Sequence, residues 1–148
     1  MKIYVGADHQ GFHMREGLLS YLKQQGYDVI DEGDATLKPD DDYPQFAGRV
    51  TNALLASGDD EARGILLCGS GQGMCIAANR LKGIRACLGY NYKAARSTRN
   101  DDDSNVLCLP AASLKHEEML QIVETWLKTP FSAAPRFVRR NKELDEMG

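Results

Sequence analysis

Gly64-Ile65-Leu66-Leu67-Cys68-Gly69-Ser70-Gly71-Gln72-Gly73 is an apolar run that stops abruptly in a glycine-rich turn. The run reads as a buried strand and the turn as its junction with a helix. Glycines there let the backbone approach a ligand, and free N–H groups at the helix start point at an anion. The segment is not the dinucleotide fingerprint, which needs a further residue before its third glycine and an acidic partner about 20 residues on. It also lacks the lysine of a nucleotide-triphosphate loop. A plain tight turn fits the pattern as well, but Cys68 argues for chemistry. A thiol at a strand end facing helix N-termini sits in the positive microenvironment that favours thiolate.

Working outward, β-branched or apolar runs alternate with longer segments of helical period, which is the signature of a βαβ succession and a parallel sheet. The pattern predicts strands at Ile3–Gly6, Asp28–Asp31, Gly64–Cys68, Ala86–Gly89 and Val106–Leu109. Helices are predicted from about Gly11 to Gln25, with Phe12, Leu18, Leu19 and Leu22 at core spacing and Gly26 as a stop. A second starts at Tyr43-Pro44, with Phe46, Val50, Ala53 and Leu54 inward. Others follow at Gly71–Arg80, Tyr92 to about Thr98, and Lys115–Lys128, and a charged one at Pro135–Glu146. That last helix has so few apolar anchors that it is expected to reach over a cleft or a neighbouring subunit. Lys38-Pro39-Asp40-Asp41-Asp42 reads as one polar surface loop.

The chain has 148 residues, 43% of them hydrophobic, which suits one domain spanning 1–148. A net charge of -3, from 18 basic and 21 acidic residues, argues against nucleic acid as a partner. No apolar run approaches membrane-spanning length, and no leader precedes the first strand, so a cytoplasmic, soluble protein is expected. Cys68, Cys75, Cys87 and Cys108 contain no Cys-x-x-Cys pair, which fits reduced thiols better than disulfides or zinc. The last three are expected to be buried and inert.

In an open parallel sheet ligands bind at the carboxyl ends of the strands. Asp8-His9 follows the first strand and offers a carboxylate and an imidazole for proton transfer on ligand hydroxyls. Asp8 alone could equally cap the first helix. Arg136 and Arg140, four apart, share a helix face and could grip one phosphate; on a charged helix such a pair is often simply solvated. Asp101-Asp102-Asp103 could be an exposed loop or a set of hard oxygen ligands. His13 and His116 have no evident role.

Together these landmarks resemble the ribose-5-phosphate isomerase B family, which also includes galactose-6-phosphate isomerase subunits. They are Gly6-Ala7-Asp8-His9 with Gly11, Asp42-Tyr43-Pro44, the run from Gly64 to Gly73 on through Ala77-Ala78-Asn79-Arg80, Gly83-Ile84-Arg85-Ala86, and Ser104-Asn105-Val106-Leu107. The resemblance implies a Rossmann-like three-layer α/β/α sandwich with a five-stranded parallel sheet. It also implies a C-terminal helix reaching a partner subunit, in a homodimer or dimer of dimers with interface active sites. By resemblance Cys68 is the proton-abstracting base, Ser70 the loop hydroxyl, and Met74 stands where another branch carries glutamate. Asp8 and His9 match the sugar-binding pair, Arg136 and Arg140 the phosphate-binding arginines, and Tyr43, Gly69, Gly71, Gln72 and Gly73 line the substrate. No metal or other cofactor is expected.

Two positions depart from the family pattern. Asp101 and Asp102 replace the usual ring-opening histidine and its asparagine neighbour. An aspartate can serve as that acid only if burial or another carboxylate raises its pKa. Ala112 stands where relatives often have an arginine near the phosphate. The expected reaction is interconversion of ribose 5-phosphate and ribulose 5-phosphate, with Asp8 and Asp101 as candidates for ring opening. Other sugar phosphates (allose or galactose 6-phosphate, or an erythrulose phosphate) are alternatives, as is a non-catalytic sugar-phosphate-binding subunit. A metal-dependent hydrolase using the aspartate run lacks a second cluster of hard ligands.

Overall fold

The computed structural model describes residues 1–148. Five parallel strands form one sheet in the order β2-β1-β3-β5-β4. They are β1 (Lys2–Ala7), β2 (Asp28–Asp31), β3 (Arg63–Cys68), β4 (Ala86–Leu88) and β5 (Val106–Pro110). The helices are α1 (Phe12–Gln24), α2 (Tyr43–Ser57), α3 (Gln72–Ala78), α4 (Tyr92–Asp102), α5 (His116–Lys128) and α6 (Pro135–Asp145). The Rossmann-like α/β class is as expected. No helix is long and apolar enough to cross a membrane.

Side chains of a strand alternate between faces, and the two cores follow that alternation. Ile65, Leu67, Leu107 and Leu109 face α1 and α5, where Leu18, Met119 and Trp126 are fully buried. Leu66, Cys68, Val106 and Cys108 face α2 and α3, with Phe46, Val50 and Met74. Helix α6 belongs to neither layer. It buries only Asn141 and leaves Val138 and Leu144 exposed, as its sparse apolar pattern implied.

The strand order places the site. From β1 the chain runs through α1 to β2 on one side, then through α2 across to β3 on the other side of β1. The carboxyl ends of β1 and β3 therefore diverge at a topological switch point, where an open α/β sheet leaves a crevice. Asp8-His9 and the turn after Cys68 both lie there.

Several element bounds differ from the sequence pattern, mostly by a single residue. Helix α3 is shorter at both ends, starting only after Gly71 and stopping before Asn79. Helix α1 begins one residue after Gly11, with Phe12 and Leu19 only half-buried. Helix α4 continues to Asp102, so Asp101 and Asp102 form its last turn rather than a loop.

Candidate active site

The turn after β3 is fixed by its own backbone. Gly71 adopts φ +73°, a left-handed conformation that disfavours any residue with a Cβ. This swings the Gly71 N–H onto Cys68, whose buried Sγ accepts it at 3.2 Å. Such a bond strengthens when the sulfur carries negative charge. Ser70 is exposed, and its Oγ accepts the Gln72 N–H at 3.3 Å. The Gly69 carbonyl accepts from Ala112 N–H at 3.0 Å, tying the turn to the end of β5.

The turn after β1 is built to match. Asp8 donates its N–H to the Leu67 carbonyl at 3.2 Å, joining the two turns. Its carboxylate accepts the N–H groups of Gln10 (3.0 Å) and Gly11 (3.2 Å). This is a tight Asx turn, so Asp8 does not cap α1, whose N-cap is Gly11. Burial raises the Asp8 pKa above its ordinary value, opposed by those two donors and by His9. The side chain of Gln10 lies directly over Gly69, where a Cβ would collide with it.

A third wall comes from the segment preceding α2. Asp41 Oδ1 accepts both the His9 N–H (3.0 Å) and the His9 ring Nδ1–H (2.8 Å). Two residues on, the Tyr43 ring packs against Gly73, where an added Cβ would approach it to 2.8 Å. The stretch Lys38–Asp42 is therefore not merely a surface loop. It closes on β1 at Asp41 and on the β3 turn at Tyr43. Asp8, His9 and Asp41 bring three ligand-capable atoms within 4.8 Å of one another. Asp41 and Gln10 are the residues that sequence reading misses. Nothing in a run of three aspartates marks the one that turns inward.

Asp8, His9, Tyr43 and Cys68–Gly73 thus converge at the carboxyl edge of the sheet. Asp101, Asp102, Arg136 and Arg140 do not join them in one chain. Helix α4 starts beyond the carboxyl end of β4 and runs back over 11 residues, about 16 Å, to the amino edge. There Arg85, just before β4, donates to the Asp102 carbonyl at 2.8 Å and to both Asp145 oxygens at 2.8 Å. Asn141 of α6 donates to the Asp101 carbonyl at 3.4 Å. A cavity of about 550 Å³ opens between α6 and residues 79–87, lined by Asp102 and Arg85 among others.

The three aspartates have separate fates. Asp101 accepts from the Asn100 amide at 2.8 Å. Asp103 ends α4 at φ +48° and pairs with Arg99 at 2.8 Å. Burial, then the Asp101 charge, raises the Asp102 pKa above its ordinary value. Asp102 therefore holds its proton to higher pH than an ordinary aspartate, which makes it a candidate acid. Arg136 and Arg140 are both exposed, Arg136 lying 4.3 Å from the Phe137 ring centre. Met74 is fully buried in apolar surroundings, so no acid–base group takes its place.

All four cysteines are free. Cys108 is buried and burial raises its pKa well above the ordinary value; burial likewise pushes Cys87 to about 11. Cys75 departs from the inert trio: it is half-buried, and a hydrogen bond from Cys108 lowers it to about 7.

Residues 3–144 match the Ribose/Galactose Isomerase family. The probable ribose-5-phosphate isomerase B of Mycoplasma pneumoniae is 39% identical, over 95% of this chain and 91% of that protein. Ribose-5-phosphate isomerase B of Mycolicibacterium paratuberculosis is 35% identical, over 99% and 91%. Among solved structures, a ribose 5-phosphate isomerase from Thermotoga maritima superposes with a TM-score of 0.92 at 40% identity, covering 99% of this chain and 98% of that one. Ribose-5-phosphate isomerase B of Mycoplasma genitalium with bound ribulose-5-phosphate does so with a TM-score of 0.92 at 34% identity, covering 97% and 93%. A match along nearly the whole chain, on the same backbone and with the thiol loop at the switch point, makes this chain a member of the ribose/galactose isomerase family.

Proposed function

We propose that this chain interconverts ribose 5-phosphate and ribulose 5-phosphate, with Cys68 as the proton-transferring base. The observation that carries the assignment of the base is the Gly71 N–H held on the buried Cys68 Sγ at 3.2 Å, in a turn otherwise lined by backbone. The bound ligand of the M. genitalium relative supports the choice of sugar.

In the open aldose, the Cys68 thiolate takes the proton from C2. The C2–H electron pair becomes the C1=C2 bond of a cis-enediolate, and the carbonyl oxygen on C1 takes up negative charge. Backbone N–H groups of the turn and the exposed Ser70 hydroxyl are the available donors for that oxygen. A proton passes from the C2 hydroxyl to the C1 oxygen, the C2 carbonyl forms, and the thiol returns its proton to C1. The net change moves two hydrogens and consumes no electron carrier.

Phosphate binding and ring opening then fall to Arg136, Arg140 and Asp102, which lie at the other edge of the sheet. We place them over the Cys68 turn of a second copy, so that two copies complete each site. The exposed face of α6, and Ile76 of α3 at 67% exposure beside the turn, supply apolar surface for that contact.

The test is turnover of ribose 5-phosphate in D2O, with and without Cys68→Ala. Deuterium is expected in the substrate at C2 and in the product at C1, and the substitution should lower kcat by about 10³-fold or more. Unchanged exchange in C68A excludes Cys68 as the base. An unsubstituted protein idle on pentose phosphates removes this substrate.

A further inference from the structure

We propose that Asp41 is a positioning residue, holding the His9 imidazole by Nδ1 so that Nε2–H is presented to anionic oxygens of the ligand at the Cys68 turn. The proposal rests on the isomerase reading for the identity of that ligand, not for the pairing itself.

An ionised carboxylate accepts and cannot donate, so the 2.8 Å contact requires the proton on His9 Nδ1. The same Oδ1 takes the His9 backbone N–H at 3.0 Å, which fixes the ring's root as well as its edge. Nε2 has no hydrogen-bond partner within the chain, and the side chain keeps 30% of its surface exposed while that of Asp41 keeps 10%. A neutral imidazole anchored in this way would offer Nε2 as an acceptor, which suits no phosphate or enediolate oxygen. Charged, it offers a second N–H.

The surroundings favour the charged form. The groups that act on His9 are Asp41, Asp8 and Asp40, all acidic, and together they raise its pKa, the Asp41 hydrogen bond most of all. Positive charge is also scarce at this edge. Across the turns at residues 8–11, 69–73, 89–91 and 111–114, His9 is the sole side chain able to carry positive charge, and in the loop after β2 Lys38 is paired with Asp34 at 3.6 Å. An aldose phosphate brings a dianion, and isomerisation adds a transient enediolate. His9 is the cation that this chain's own turns set against that load, beside the Arg136 and Arg140 assigned above to a second copy, and Asp41 protects its charge.

Asp41→Asn keeps an oxygen for the hydrogen bond and removes the charge. The His9 ring is followed by nitrogen NMR, its signals identified among the three histidines by their loss in His9→Gln. In the parent the midpoint should lie above 6.5 with Nδ1 protonated in the neutral form; in D41N it should fall toward 6.5. Kinetically, the KM ratio of D41N to parent for ribose 5-phosphate should stay small below pH 6.5, where both rings are charged. It should open to roughly tenfold above it, the loss of one charge-assisted hydrogen bond. Equal midpoints overturn the proposal, and so does a KM ratio that does not vary with pH, which is the mark of a merely structural loss. A parent without turnover removes the substrate clause and the isomerase reading together, while the midpoints still decide whether Asp41 holds His9.

Discussion

At the carboxyl edge of the sheet, Asp8, His9 and Cys68 are each held by backbone N–H groups or by a buried partner. At the amino edge, Arg136 and Arg140 pair with no carboxylate of the chain and ride on a helix with one buried residue. The difference separates two design problems. Proton transfer at carbon needs a base placed within a few tenths of an ångström, and strand ends at a switch point supply that rigidity. Gripping a phosphate is a matter of charge and reach, and an exposed helix suffices if a second surface arrives to meet it. A half-site that is finished and one that is waiting are what a shared, two-copy site requires.

The sharpest way to break this comparison is to inactivate each half in a different chain. C68A protein and Arg136→Ala/Arg140→Ala protein should each be nearly idle on ribose 5-phosphate. Unfolded together and refolded in equal amounts, they should regain about one quarter of the parent activity. Half of the random pairs are mixed, and each mixed pair holds one site with an intact turn facing intact arginines. If both halves belonged to the same chain's site, mixing would restore nothing. Sedimentation of the mixture shows whether pairs formed.

A smaller effect sharpens the amino edge itself. Asp102 is raised by burial and by Asp101, so it keeps a proton to higher pH than an ordinary aspartate. Asp102→Asn should slow turnover of cyclic ribose 5-phosphate by roughly 10²- to 10⁴-fold, the usual worth of a general acid. A four-carbon ketose phosphate that forms no furanose should be slowed far less. Asp101→Asn removes a neighbouring charge and should move the proton loss of Asp102 to lower pH. The high-pH limb of turnover for the cyclic substrate then moves with it. Equal losses on both substrates would take ring opening away from Asp102.

How much of this is legible in the sequence follows the same divide. The strands were readable because apolar runs such as Gly64–Cys68 and Val106–Leu109 are buried on both faces and carry no competing signal. The thiol turn was readable because Gly71 and its neighbours are demanded locally. The sequence pattern ends helix α4 near Thr98, and Asp101 and Asp102 beyond it are poor helix formers. The helix continues because Arg85 donates to the carbonyls of Asp102 and Asp103, and Arg99 reaches Asp103 one turn on. The Arg99–Asp103 pair is a local i,i+4 contact, but Arg85 lies 17 residues from Asp102 and no local pattern encodes it. Asp41 was invisible for a related reason: its meaning lies 32 residues away at His9. Cys75 looked inert because its neighbour, Cys108, sits on a strand that only the fold brings near.

The smallest expected effect probes what holds the waiting half in place. Asp145 receives two hydrogen bonds from Arg85, each 2.8 Å, near the end of α6. Both side chains keep solvent contact, 17% for Arg85 and 45% for Asp145, so screening limits the pair to under about 1 kcal/mol of stability. Asp145→Asn should therefore shift the unfolding midpoint by only a few degrees at most. Its effect should appear instead in the sugar-phosphate KM, raised about threefold with kcat kept, because α6 frays and the arginines spend less time on the phosphate. High salt should produce the same KM rise in the parent and little further change in D145N, although salt also screens the arginines directly. An unchanged KM in D145N at low salt would mean that the second copy clamps α6 unaided. The clasp would then be redundant, and the placement of Arg136 and Arg140 would belong wholly to the interface.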